Sequence, residues 1–357
     1  MAVPYGVAFF GWFLAAIFGS YGRIRLGSGG LIILGAGLQF LAQLLRFWVP
    51  PFGLFSVTFF LVALGQATQE PQANTFVSTL QNAHRWLGLI HGCYALGGLA
   101  GPLIATAIAS TSAQWAAFYY VPTGIGAINL ALCAYAFRSD ISFLQPTTTN
   151  EPRHSRTALR ELSATAKQPS VWFLSAFFFL YLGAAITAGG WVVEFLVSVR
   201  GGDLSRVGYI SSAFYGGLAL GRIALAEPTF RFGEKRMLLL YGVLSLALEI
   251  IFWRVPNVIV DAVMVCLMGV LLGPSFATGV SVGSKLIPVE LQPSGLALIF
   301  VMAQAGGAIF PAITGVVSAK AGVGTLQPIL VGLLAAMAFA WWLVPDPRKK
   351  GINANMS

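Results

Sequence analysis

Charge is scarce in this chain. Only 9% of its residues are Asp, Glu, Lys or Arg, and 57% are hydrophobic. A soluble domain carries about 25% charged residues, so 357 residues with a mean hydropathy of +0.79 are expected to sit in a lipid bilayer. Cysteine is nearly as rare. Cys93, Cys133 and Cys266 lie in apolar stretches with no CxxC or Cys/His spacing, which excludes a disulfide framework and a metal site and leaves no cofactor to expect. Enzyme signatures are missing too: there is no phosphate-binding GxxxxGK, no nucleophile elbow, no HExxH and no acid pair in a soluble loop. An ATP-driven pump on this chain is excluded, and no enzyme is expected. The net charge of +9 comes from Lys and Arg in short loops between apolar runs, the positive-inside pattern, so no nucleic-acid partner follows from it.

Eleven runs are apolar and long enough to cross a bilayer: 5–21, 30–48, 54–80, 86–109, 115–137, 171–199, 207–225, 237–253, 258–284, 294–318 and 326–344. They predict an all-α membrane protein with a helix bundle over 1–138, a polar cytoplasmic linker over 139–168, a second bundle over 169–345 and a cytoplasmic tail over 346–357. No positive region precedes the first run, so it reads as a helix, not a signal peptide. Of the 21 basic residues, Arg46, Arg200, Arg206, Arg254 and Lys320 fall on one side and the other sixteen on the opposite side. The richer side is expected to be cytoplasmic, with Met1 outside.

The sequence also repeats. Residues 25–50 align without a gap on 231–256, pairing Arg25 with Arg231, Gly27 with Gly233 and Pro50 with Pro256. Gly97, Gly98 and Pro102 recur at nearly the same offset as Gly306, Gly307 and Pro311. Two halves of like topology are a transporter architecture. The run 171–199 precedes the second repeat, and its counterpart would lie before Met1, so the chain is expected to lack one leading helix.

The run 54–80 holds an acid near its middle, Glu70, which costs a few kcal/mol or more in hydrocarbon unless it faces water or a partner. Gln66, Gln69, Glu70 and Asn74 fall at i, i+3, i+4 and i+8, one helical face, which is expected to look into a cavity; the alternative is a polar seam packed against neighbouring helices. Pro71 removes a backbone donor beside the acid and is expected to bend the helix. Pro102, Pro274 and Pro311 are expected to bend theirs. Thr187, Trp191, Glu194 and Ser198 share a face of the sixth run; Trp191 is the better cavity candidate, since Glu194 falls near the end of its span. His91 and Tyr94 lie a turn apart in the fourth run, where a histidine can bridge helices or switch charge. In the ninth run, Gly273-Pro274-Ser275 with Thr278 sets a break beside hydroxyls, where transporters tend to bind solute. Glu249, Arg254 and Asp261 read as structural pairs near span ends.

On these features the chain resembles the major facilitator superfamily, whose fold has six plus six helices, here without the first. It resembles more narrowly fungal members related to the fucose–proton symporter group, through GQATQEPQANTFV at 65–77, LGLIHGCYALGGLAGP at 87–102, Gly189-Gly190-Trp191 and GGLALGR at 216–222. The resemblance implies that Glu70, four residues ahead of an Asn-x-Phe-Val pattern at Asn74, serves substrate binding or proton coupling. The group's second acid lies on the helix this chain lacks, and Ala185 stands where similar proteins carry an acid after Gly-Ala. The resemblance also implies a cytoplasmic gate. Arg23, Arg25 and Gly27 keep part of its motif, with Ile24 at the Asp position; Arg222, Arg231, Gly233 and Arg236 keep more, with Glu227 and Glu234 as partners. For these the plainer reading is ordinary cytoplasmic basic residues.

The sequence thus predicts a monomeric secondary transporter of a small organic solute, sugar-like or another metabolite, coupled to protons and working by alternating access. The plasma membrane is the expected host, with a vacuolar membrane as the alternative. Efflux of a secondary metabolite or drug is the second function reading, and a non-transporting sensor or inactive truncated transporter the third.

Overall fold

The computed structural model describes residues 2–111, 114–140 and 153–347. Residues 141–152 of the expected linker and the tail from 348 lie outside the described residues. Within them every regular element is helical. Hydrocarbon offers no partner to a free N–H or C=O, and a helix satisfies both within one segment.

The helices are α1 (Ala2–Arg46), α2 (Phe52–Ser78), α3 (Ala83–Thr111), α4 (Tyr120–Ala136), α5 (Arg153–Ala166), α6 (Pro169–Ser198), α7 (Leu204–Ala224), α8 (Ala226–Phe232), α9 (Glu234–Arg254), α10 (Val258–Leu272), α11 (Ser275–Leu286), α12 (Gln292–Ala321) and α13 (Leu326–Leu343). Eight stretches among the described residues are long and apolar enough to cross a membrane. The eleven expected runs reduce to eight because α1 joins the first two, while α3 and α7 are not among the eight. For α7 the source is a Ser/Gly/Tyr-rich sequence ending at Arg222.

Gly27 interrupts α1 with φ 73°. Its repeat partner Gly233 has φ 104° and separates α8 from α9. Positive φ costs glycine nothing, so the two positions aligned in sequence also share a backbone role.

The chain divides into two compact units. The first is Met1–Phe76, Leu103–Val171 and Ile287–Val301. Here α1 and α2 meet backbone to backbone: a Cβ on Gly35 would strike the carbonyl of Gly65, and one on Gly65 that of Gly35. Small residues permit such approaches and leave van der Waals packing to hold the helices together in lipid. Residues 153–166, part of what reads as an exposed linker, form α5, which rests on α1. Arg23 donates to Glu161 at 2.6 Å, and the buried Thr165 hydroxyl meets Ser294 at 2.8 Å. Leu162 and Thr165, three apart, turn away from solvent while Arg160, Ser163 and Ala166 are exposed, a signal overshadowed by the segment's polarity.

The second unit is Val77–Pro102, Trp172–Leu286 and Met302–Ser357. Gly217 and Gly221 of α7 interlock with Gly269 and Gly273 of α10, each leaving no room for a Cβ beside the opposite backbone. Gly306 and Gly307 of α12 likewise meet α6 at Phe179 and Leu182. Gly97 and Gly101 of α3 differ: a Cβ on either would meet nothing within 4 Å. The close approaches of α3 come instead at Gly88, against Arg222 and Ala226, and at Gly92, against Ile223.

Candidate functional site

In the first unit the residues of interest ride on α2, whose helix continues through Pro71. The Gly35–Gly65 contact brings Gln39 of α1 within reach, and its Nε2 donates to Gln69 Oε1 at 2.7 Å. Gln69 also points its Nε2 at Cys133 Sγ of α4, 3.7 Å away. Gln69 is thereby engaged by neighbouring helices. Asn74 is buried and turns its amide back onto the Glu70 carbonyl at 2.9 Å. Gln66 and Glu70 are half-buried. On the adjacent face Ala67, Thr68, Pro71 and Gln72 line a narrow cleft with Ser20 and Arg23 of α1 and Ser294 of α12. Gln72, absent from the sequence candidates, accepts a hydrogen bond from Ser28 at 3.2 Å within this unit.

In the second unit His91 and Arg222 form a buried pair. Arg222 Nη1 donates to the His91 carbonyl at 2.7 Å, and the imidazole lies against Phe276 with centroids 4.6 Å apart. The exposed Tyr94 ring sits 5.6 Å from the Arg222 guanidinium carbon. Arg222, expected at a gate, is therefore bound up with α3. Thr278 lines a narrow cleft with His84, Arg222, Thr229, Phe230 and Glu234. Near it the Glu234 carboxylate accepts from Ser281 at 2.6 Å and from Lys285 at 2.5 Å.

Glu227 gathers three basic side chains, Arg85 at 2.7 Å, Arg231 at 2.8 Å and His84 at 2.9 Å, of which Arg231 alone was expected at a gate. The His84 ring is stacked on Phe230, 3.9 Å between centroids. Hydrogen bonds from Arg85, His84 and Arg231 hold the Glu227 carboxyl well below the usual carboxylate range. Arg236 is exposed, and Arg25 lies over the Tyr21 ring at 5.3 Å. The sequence reading did not single out His84, Arg85, Lys285 or Glu161. Basic residues beside a membrane span look alike until a fold chooses their acids.

Trp191 packs its ring on Gly315 of α12, and Glu194 is exposed with its carboxylate accepting from Ser198 at 2.7 Å. The helix α12 continues through Pro311. At Gly273-Pro274 the α10 helix ends and α11 begins, although Gly273 keeps helical dihedrals and Thr278 N–H reaches the Pro274 carbonyl at 2.9 Å. The interruption is slight. Pro102 falls within α3, and its side chain lies outside the described residues.

The Glu249, Arg254 and Asp261 trio is rearranged. Asp261 pairs with Arg200 at 3.2 Å, and Arg254 lies over the Trp253 ring instead. Glu249 is fully buried with neither oxygen hydrogen-bonded. An acid inside an apolar run was the signal for it, the same signal that singles out Glu70.

Long apolar helices, glycine-mediated packing and a twofold repeat with charge at its turns define a multi-pass integral membrane protein of the helical transporter class. The sequence profile described as Major Facilitator Superfamily matches residues 1–311, and the chain belongs to that family. Its transporters handle small solutes and are generally not enzymes. The chain is 23% identical over 351 residues to "Bypass of stop codon protein 6" of Saccharomyces cerevisiae, covering 90% of this chain and 70% of that one. Among solved structures it is similar to the fucose:proton symporter FucP of E. coli, with a TM-score of 0.77, 19% identity and coverage of 96% and 90% of the two chains. It is also similar to the human organic anion transporter TETRAN, with a TM-score of 0.76, 16% identity and coverage of 95% and 83%. At such identities the likeness concerns the fold.

Proposed function

We propose that the chain is a secondary active transporter of a small organic solute, sugar-like or another polar metabolite, coupled to protons and working by alternating access as a monomer in the plasma membrane. The observation that carries this reading is Glu70, a half-buried acid in the middle of a membrane helix, fixed between a buried proline and an asparagine bonded to its own carbonyl. Intramembrane acids persist where they bind solute, ions or protons. The fold likeness to a fucose:proton symporter supports a sugar and a proton, and the yeast relative supports a fungal member of that group. Gln66, Asn74, His91, Tyr94, Trp191 and Thr278 are the accompanying polar and aromatic candidates, while Gln69 orients α2.

The experiment uses the purified chain in liposomes with an imposed proton gradient, offered a panel of labelled sugars and polar metabolites. Inward accumulation that collapses when the gradient is dissipated is the expected result; outward movement would make the protein an exporter. Glu70→Gln should abolish uphill accumulation while preserving solute exchange. Unchanged accumulation by that variant would remove the role given to the acid.

A further inference from the structure

Two acids and one cation are enclosed together at the Pro256 end of the second repeat. Glu249 sits in the penultimate turn of α9 and Asp261 in the first turn of α10, and both are fully shielded from solvent. One residue links them: Arg200 bonds both Asp261 and the carbonyl of Trp253, one turn after Glu249. Arg200, in the connection after α6, donates its Nε to Asp261 Oδ2 at 3.2 Å. Its Nη2 caps α9, reaching the carbonyls of Phe252 at 2.8 Å and Trp253 at 3.1 Å. That accounts for one carboxylate oxygen. Asp261 Oδ1 and both oxygens of Glu249 have no partner. Ser245, one turn before Glu249, and Gln327, in the first turn of α13, are also fully buried with unpartnered side chains.

Among the described side chains the surroundings supply no second cation: α7, packed on α10 through Gly217 and Gly221, carries Arg206, whose side chain lies outside the described residues, and Asp203 and Lys320 are exposed. Among the described residues α13, packed along α9 with Ala338 on Gly242, has no ionisable side chain, and α10 adds only Cys266. Arg254 lies exposed on Trp253. Glu227, Arg231, Glu234, Lys235, Arg236 and Lys285, on α8, α11 and the start of α9, belong to the opposite end of α9, which is 21 residues and so about 30 Å long. Two carboxylates against one guanidinium leave an uncompensated negative charge, and a buried charge without a partner costs several kcal/mol. Asp261 is favoured as the anion by Arg200 and by its place at a helix N-terminus.

We propose that Glu249 and Asp261 form an internal proton-binding site that holds one proton, resident on Glu249, while Arg200 holds Asp261. The proton brings the site to neutrality: two acids, one proton, one guanidinium. Should Arg200 withdraw, Asp261 takes a second proton from the medium, its O–H bond forming at the bare Oδ1. The site is distinct from Glu70 and does not depend on the role proposed for that residue.

The test reads protonated carboxyl groups by infrared difference spectroscopy on the full chain in detergent at neutral pH. Wild type should show a protonated C=O band that survives Glu70→Gln and disappears in Glu249→Gln, with the melting temperature little changed. Arg200→Gln should roughly double the band, because both acids must then be neutral. That second variant keeps the proposal open to refutation if Glu249→Gln misfolds. A band indifferent to Glu249→Gln, or of unchanged intensity in Arg200→Gln, overturns it. Loss of the wild-type band on adding sodium ions also overturns it, in favour of a metal-cation site.

Discussion

The Pro50 and Pro256 ends of the two repeats bury opposite charges. The gap-free alignment that sets Arg25 against Arg231 also sets Gln43 against Glu249 and Arg46 against Phe252. In the first repeat the buried ion is the cation. Arg46 Nε donates to Thr58 at 2.7 Å and Nη1 to Gln43 at 3.3 Å, while the Phe59 ring lies 4.1 Å and the Tyr119 ring 5.5 Å from the guanidinium carbon. Aromatic faces can neutralise part of a cation's need for solvent. In the second repeat the aromatic partner has become the helix residue itself, Phe252, the buried ions are acids, and the cation arrives from outside the repeat as Arg200. A carboxylate gains nothing from an aromatic face, whose quadrupole is negative, so the second site requires a cation, a proton or both. One backbone motif has acquired two electrostatic solutions.

The largest effect that would break this comparison comes from Arg200→Gln. Removing one partner of a buried ion pair costs about 3–5 kcal/mol, and this residue also caps α9. A fall in melting temperature, steeper at alkaline than at mildly acidic pH, is expected, because protons can replace the lost cation only where they are available. Equal losses at both pH values would mean that the two acids do not share the charge balance described above. Thr58→Val should do less. It leaves the buried Arg46 Nε without an acceptor, worth about 1–3 kcal/mol, and its melting temperature should fall by the same amount across neutral pH because no titratable group is removed.

The smallest effect lies at the opposite ends of the repeats, where charge is solvated. There Arg23 meets Glu161 in the first unit, and Glu227 meets Arg85, His84 and Arg231 in the second. The Glu227 carboxyl is ionised more readily in the fold than in the unfolded chain. Its contribution is therefore full at neutral pH and is lost as pH falls through and below the ordinary carboxylate range. Melting curves of wild type and Glu227→Gln should be modestly separated at neutral pH and converge in acid; a gap that widened in acid would assign the network the wrong sign.

Much of the helical layout was legible in the residues. Apolar run length fixed α2, α6, α9 and α13 closely, and the Gly27/Gly233 pairing foretold where both repeats would turn. The Glu227 and Glu234 carboxylates were visible as acids among arginines. Their partners were not, because His84, Arg85 and Lys285 are distant in sequence and no periodicity links them. Which glycines of α3 pack closely was hidden for a related reason. A small-residue stripe marks where helices could touch, and Gly88 and Gly92 satisfy that pattern as well as Gly97 and Gly101 do. Helix α5 was hidden by polarity that suits a linker.

The sequence by itself determined that this protein belongs in a bilayer, that it is helical, and that it is built on a repeated unit, because hydrocarbon penalises free backbone groups and charge wherever the chain runs. Tertiary structure alone decided which charges are answered. Whether Arg46 is caged by rings, or Glu249 is left with bare oxygens beside Asp261, depends on side chains brought together across helices, and the free energy of an ion in a low-dielectric interior is set by its neighbours within a few ångströms.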